Sequence, residues 1–159
     1  MIQLKQKVIM IFLTGSLLLS HALEAESRFV TVVLNNNIHN LGVMYAIGDR
    51  GPEGGKVYYV DDSGQHGLEA KLADEIDLLS WSEAVKTTVA LGSGWRLPTK
   101  TELKVLYERR KIVGGFAKDD YWSSTELDVN SAWIQGFWNG DQDRYNKHSK
   151  LSVRAVRAF

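Results

Sequence analysis

Two capping boxes near the middle of the chain constrain its fold more than any other feature. Ser80 is followed three residues later by Glu83, and Thr99 by Glu102. In such a pair the hydroxyl and the carboxylate satisfy reciprocal backbone N–H groups at the start of a helix. Apolar residues follow at helical spacing, and glycines close both segments. The sequence therefore predicts two short helices. Their predicted inner faces are Trp81, Ala84, Val85, Thr88 and Val89 for the first, and Leu103, Leu106, Tyr107 and Arg110 for the second.

The last third of the chain is typical of β structure. Asn139-Gly140 is a strong hairpin signal, because both residues accept positive φ. It predicts a strand over 131–138 and a return strand over about 142–148. Further strands are predicted over 121–125 and 151–159, the last with Leu151, Val153 and Ala155 on one face.

Earlier segments complete an α+β order. The chain predicts strands over Arg28–Leu34, ended by Asn35–Asn37, and over Lys56–Val60. Residues 23–44 are interpreted as an N-terminal lead-in, and 45–159 as the compact domain. Two helices segregated from a small, mainly antiparallel sheet define the predicted architecture.

The first 22 residues are typical of a secretory signal peptide. Lys5 and Lys7 precede a twelve-residue apolar run, which is shorter than the roughly 20 residues that span a bilayer as a helix. Small residues then favour cleavage after Ala22, with Ala25 as the alternative site. We therefore expect an exported protein, periplasmic, on the cell surface or secreted, without a transmembrane anchor after cleavage.

Composition excludes several classes of function. The 19 basic and 19 acidic residues balance, so no overall basic field attracts nucleic acid. Removal of residues 1–22 leaves a mature net charge of −2. The chain has no cysteine, which removes disulfides, thiolate metal sites and a cysteine nucleophile.

Catalytic and metal-binding patterns are weak, so we expect a non-enzymatic protein without a cofactor or a structural metal. His39, His66 and His148 have no metal-ligand spacing. Asp141 and Asp143 alternate in a turn that could suit calcium, although the twelfth position of an EF-hand loop would be Lys150 rather than Glu. A solvated hairpin tip is the alternative interpretation.

One local charge bias does suggest a ligand. Residues 144–157 contain five basic residues and no acidic one. Such a stretch indicates either a site for an anionic ligand or charge protection of a sheet edge. The predicted ligand-binding residues are Arg144, Lys147, Lys150, Trp138 and Trp122, the tryptophans being candidates for stacking on a sugar ring.

Ordered motifs along residues 45–159 carry a family resemblance. The chain resembles the Lcl C-terminal domain family, a largely bacterial and exported family that long had no known function. The matching segments are Ile47–Asp49, Gly51–Gly55, Val57–Asp61, Gly64–Ala70, Gly94–Thr99 with Glu102 and Leu103, Gly114–Phe116, Tyr121–Glu126, Ala132 with Trp133, and Val153–Arg157.

The resemblance implies a C-type-lectin-like fold. The best-known member of the family ends a collagen-like adhesin that binds sulfated glycosaminoglycans as a trimer. This chain has no collagen-like tract, so an oligomer is implied only in general terms. The Gly94–Thr99 segment is also similar to formylglycine-generating enzymes, which use cysteines that are absent here. The Glu-Pro-Asn triplet of calcium-dependent lectins is absent as well.

Together these observations predict an exported binding module for an acidic or sulfated glycan, acting in adhesion. The alternative is a structural or protein-interaction domain of the bacterial envelope, with a cell-surface protein as partner.

Overall fold

The computed structural model describes residues 28–34 and 37–159 and shows an α+β protein. The predicted signal peptide and its cleavage sites lie outside these residues. The described elements, in chain order, are β1 (Arg28–Leu34), β2 (Asn37–Met44), β3 (Lys56–Val60), β4 (Gly67–Ala70), α1 (Trp81–Ala90), α2 (Lys100–Glu108), α3 (Arg110–Val113), β5 (Asp120–Glu126), β6 (Ser131–Gly136), β7 (Gln142–Asn146) and β8 (Val156–Ala158).

Both predicted helices begin at their capping boxes. The Ser80 N–H donates to the Glu83 carboxylate at 2.9 Å, and the Thr99 N–H donates to Glu102 at 2.8 Å. The first helix buries Ala84 and Thr88 but leaves Val89 exposed, so its inner face is narrower than predicted. The second helix continues into the short helix α3, which Gly114 ends at φ 75°.

The strands form two small antiparallel sheets and a separate hairpin. One sheet has the order β3-β4-β8 and the other β5-β6-β7, while β1 pairs with β2. The strand over Arg28–Leu34 is confirmed. Strand β2 was not predicted, because its asparagines and its glycine are residues that strands disfavour.

The predicted β6–β7 hairpin is confirmed, but its turn is longer than a two-residue turn. Strand β6 ends at Gly136, and β7 begins at Gln142. The Gly140 N–H donates to the Gly136 carbonyl at 2.9 Å. Gly140 has φ 91°, whereas Asn139 does not have a positive φ, so the turn differs from the type in which both residues are left-handed.

The C-terminal segment joins the two sheets instead of forming one long strand. Leu151 bridges to Leu79, Ser152 to Tyr121, and Val156 to Arg96 as well as to β4. Only Val156–Ala158 is a strand. Every residue from 151 to 156 is buried, because the segment is covered on both sides. Val153 and Ala155 are buried as predicted, but they lie before the strand.

Two apolar clusters lie on opposite faces of the β5-β6-β7 sheet. Neighbouring residues of β5 point to opposite faces, so Tyr121 packs with Leu103 and Leu106 of α2, while Trp122 packs with Ala84 of α1. Helices therefore cover this sheet on both faces, and most of the edge strand β7 is exposed to solvent.

Candidate functional site

Strand β7 forms the free edge of its sheet among the described residues, and four of its five residues are exposed. It carries Arg144, the first of the predicted ligand-binding cations. Arg144 pairs in register with Trp133 on β6. Directly opposite residues of antiparallel strands place their side chains on the same face, about 5 Å apart at Cβ. The Arg144 side chain is therefore a neighbour of the Trp133 indole.

Lys147 has a structural role on the other side of the hairpin. Its ammonium donates to the Glu126 carboxylate and to the Asp128 carbonyl, the latter at 2.8 Å. It also lies 4.8 Å from the centre of the Trp81 ring, and only 13% of its side chain is exposed. Lys147 thus holds the β5–β6 turn, and its positive charge is already neutralised by the Glu126 carboxylate.

Lys150 is exposed and lies on the side of α1. Hydrogen bonds from Ser80 lower the pKa of the Glu83 carboxyl, and the positive charge of Lys150 adds to this lowering. The three predicted cations therefore do not form one patch. Arg144 and Lys147 are three residues apart, so along an extended chain their side chains point to opposite faces of the sheet. Lys150 lies beyond the end of the strand.

The other two basic residues of the 144–157 stretch are also paired. Arg154 is buried, and its Nε donates to Asp74 at 2.7 Å. Arg157 lies 3.3 Å from Glu53 and 3.6 Å from the buried Glu69. Acidic residues distant in sequence thus neutralise most of the local basic bias.

Trp122 cannot contact a ligand at the surface. It is 0% exposed, and its indole N–H donates to the Leu79 carbonyl at 2.8 Å. Its prediction as a ligand-binding residue is wrong, because α1 covers the face of the sheet to which it points.

A different pair of cations flanks a half-buried tryptophan. Lys100, the first residue of α2, places its ammonium over the Trp133 ring, and Arg144 lies on the neighbouring strand. The Gln142 side-chain amide donates to the Lys100 carbonyl at 2.9 Å and fixes α2 against β7. We name Lys100, Trp133 and Arg144 the cationic face.

The charges of the cationic face have no acidic partner. Within the part of the chain that the structure describes, no carboxylate lies within 4 Å of the Lys100 ammonium or the Arg144 guanidinium. A cation at a helix N-terminus also opposes the helix dipole. The helix dipole therefore does not account for Lys100 at this position, where its ammonium contacts the face of the Trp133 ring instead.

Trp138 lies apart from the cationic face, at the β6–β7 turn. It is 64% exposed, and its indole N–H donates to Asp120 at 3.2 Å. Trp138 follows Trp133 by five residues and lies beyond the end of β6 at Gly136, and its indole hydrogen bond is to β5 and not to the strand that carries Arg144. The predicted combination of Trp138 with the basic residues is therefore not formed.

Neither a metal cluster nor a nucleophile–base pair is evident in residues 42–159. No group of three or more His, Asp or Glu residues there could hold a metal ion. Ser63 and His66 both bind Asp61, at 2.6 and 3.1 Å, but on different oxygens of its carboxylate. Led by the Ser63 hydrogen bond, these contacts lower the pKa of Asp61 to about 2. The arrangement is that of a hydrogen-bonded turn.

The comparison with protein families identifies the class to which the chain belongs. A family model described as the Lcl C-terminal domain matches residues 62–157. The chain is therefore a member of the Lcl C-terminal domain family, as its motifs predicted. No curated protein matches the chain. Among residues 28–34 and 37–159, no helix is long and apolar enough to cross a membrane.

Proposed function

We propose that this chain is an exported, non-enzymatic binding module whose cationic face holds an acidic or sulfated glycan, as in adhesion. The observation that carries the proposal is a pair of cations without acidic partners among the described residues: Lys100, whose ammonium lies over the Trp133 ring, and Arg144, which is opposite Trp133 on the neighbouring strand. Guanidinium and ammonium groups bind sulfate and carboxylate by charge-assisted hydrogen bonds. The half-buried indole offers an apolar surface next to the Lys100 ammonium. The C-type-lectin-like fold that the family implies is part of this proposal.

The expected mature net charge of −2 means that heparin binding would require a local cluster of positive charge. A protein that is acidic overall gains no general attraction to polyanions, so retention on heparin would have to arise from a local arrangement. Exposed charges are screened over about 8 Å at physiological ionic strength. We therefore expect retention on a heparin column at low salt, with elution by about 0.2–0.3 M salt.

The test compares two double variants that remove the same charge. Lys100→Ala with Arg144→Ala should abolish retention, whereas Lys86→Ala with Lys111→Ala should retain the wild-type elution, because these exposed lysines lie elsewhere. Surface substitutions usually change the free energy of unfolding by less than about 0.5 kcal/mol, so both variants should keep their melting temperatures. Equal losses in the two would indicate a general charge effect and would refute the site.

The alternative is a structural or protein-interaction domain of the envelope. It is favoured by apolar side chains on the surface, of which Ile76 is 101% and Val129 85% exposed. Absence of wild-type retention at low salt, together with a stable complex with a cell-surface protein, would support this alternative.

A further inference from the structure

Trp138 is exposed, yet the structure around it is well anchored. Trp138 is the most exposed tryptophan of the chain, at 64%. The preceding residue, Phe137, is buried against Tyr107, Phe116 and Tyr121. The indole N–H bond to Asp120 fixes the orientation of the ring. An indole held open to solvent in this way is preorganised to receive a flat apolar surface.

Polar oxygens converge on Gly136, two residues before Trp138, and one of them is the Asp120 oxygen that accepts from the indole. A Cβ at Gly136 would overlap the Asn139 side-chain oxygen and lie 3.2 Å from the Asp120 carboxylate. Both oxygens therefore lie over the same glycine. Asp141 completes the group, because its carboxylate accepts from the Asn139 amide at 2.6 Å and its N–H donates to the Asn139 oxygen at 3.1 Å.

The turn that carries these groups is fixed by its backbone. The Gly136 N–H donates to the Asp141 carbonyl at 2.9 Å. Gly140 has φ 91°, and a Cβ there would lie 2.7 Å from the Tyr107 hydroxyl, so α2 packs closely against the turn. We name Trp138, Asp120, Asn139 and Asp141 the indole corner.

We propose that the indole corner binds the uncharged pyranose ring of a hydroxyl-rich sugar. The C–H face of such a ring matches the indole, and its hydroxyls are donors for the Asp120 carboxylate bound to the indole and for the Asn139 and Asp141 oxygens of the adjoining turn. Asp120 and Asp141 repel sulfate and carboxylate groups. The indole corner therefore differs in ligand chemistry from the cationic face and does not depend on it.

The indole N–H signals in a ¹H–¹⁵N spectrum of the full chain provide the test. Trp138→Phe identifies the Trp138 signal by its loss. Titration with maltotetraose and, separately, chitotetraose should shift this signal with at least one of the two sugars, equally at low and at high salt. Trp138→Ala lacks this signal, so its affinity is measured by isothermal titration calorimetry beside the wild type, and binding should be about tenfold weaker, as for the loss of a tryptophan contact surface. Asp120→Asn should weaken binding less, because one oxygen acceptor remains.

Controls separate this inference from the proposed function. Tyr59→Ala, which removes an exposed aromatic ring from the other sheet, should leave sugar binding unchanged. The double variant Lys100→Ala with Arg144→Ala should also bind the neutral sugar normally. If neither sugar shifts the Trp138 signal at millimolar concentration, or if Trp138→Ala binds as the wild type does, the indole corner is not a sugar site, whatever the result on heparin.

Discussion

Substitution of the buried Arg154 tests its structural role in joining the C-terminal segment to the rest of the fold. Its guanidinium is 0% exposed and binds the Asp74 carboxylate at 2.7 Å. It also donates to the carbonyls of Lys71, Gly114 and Gly115. Arg154→Met keeps the aliphatic length of the side chain and removes all of these hydrogen bonds.

The expected cost follows from what remains after the substitution. The Gly115 carbonyl belongs to an exposed residue and regains water. The Asp74 carboxylate is 17% exposed and keeps the Tyr121 hydroxyl and the Ala117 N–H as donors. Removal of one partner from a buried ion pair costs about 3–5 kcal/mol. Because these donors remain, we expect the loss in unfolding free energy to lie near the lower end of that range, at about 3 kcal/mol. This is a large part of a typical protein stability of roughly 5–15 kcal/mol.

Urea unfolding measures this cost. The midpoint of Arg154→Met should fall by roughly 1–3 M, given the usual dependence of unfolding free energy on urea. Arg144→Met, at an exposed arginine, should shift it little. Adding Asp74→Asn to Arg154→Met should cost less than the sum of the single changes, because the unpaired carboxylate is also removed. A midpoint for Arg154→Met equal to that of Arg144→Met would refute the ion-pair reasoning.

Three further changes test the fold. Burial acts to raise the pKa of Glu102, but hydrogen bonds, the largest from Arg96, hold it below its ordinary value of 4.5. The ionised carboxylate therefore stabilises the fold above that value, and this stabilisation is lost on acidification, so Glu102→Gln should flatten the fall in stability below about pH 4.5. An unchanged acid profile would contradict this. Gly67→Ala should lower stability by about 1–3 kcal/mol, because its Cβ would overlap the Tyr59 carbonyl; a neutral result would mean that the strand can shift. Trp122→Phe should lower the free energy of unfolding by roughly 2–4 kcal/mol, because it leaves a cavity and an unpaired Leu79 carbonyl. A decrease below about 1 kcal/mol in urea unfolding would argue against the burial of Trp122.

The local structure of this protein could be predicted from sequence because local contacts determine it. Each capping box satisfies backbone N–H groups within three residues, and both helices begin where those pairs indicate. The Asn139-Gly140 pair likewise indicates the hairpin, although packing of Gly140 against Tyr107 accompanies a longer turn. The family was also recognisable from the motifs alone and is confirmed over residues 62–157.

The candidate site and the ion pairs were decided only by tertiary structure. Lys100 reaches Trp133 because α2 packs on β6, and Arg144 joins them through strand register. The basic stretch of residues 144–157 contains no acidic residue. Even so, Arg154 forms an ion pair with Asp74, 80 residues away, and Lys147 with Glu126, 21 residues away. Such partners are set by how the sheets and the C-terminal segment pack. Sequence patterns report periodicity and caps within a few residues, whereas the charge balance of a surface depends on which distant segments the fold brings together.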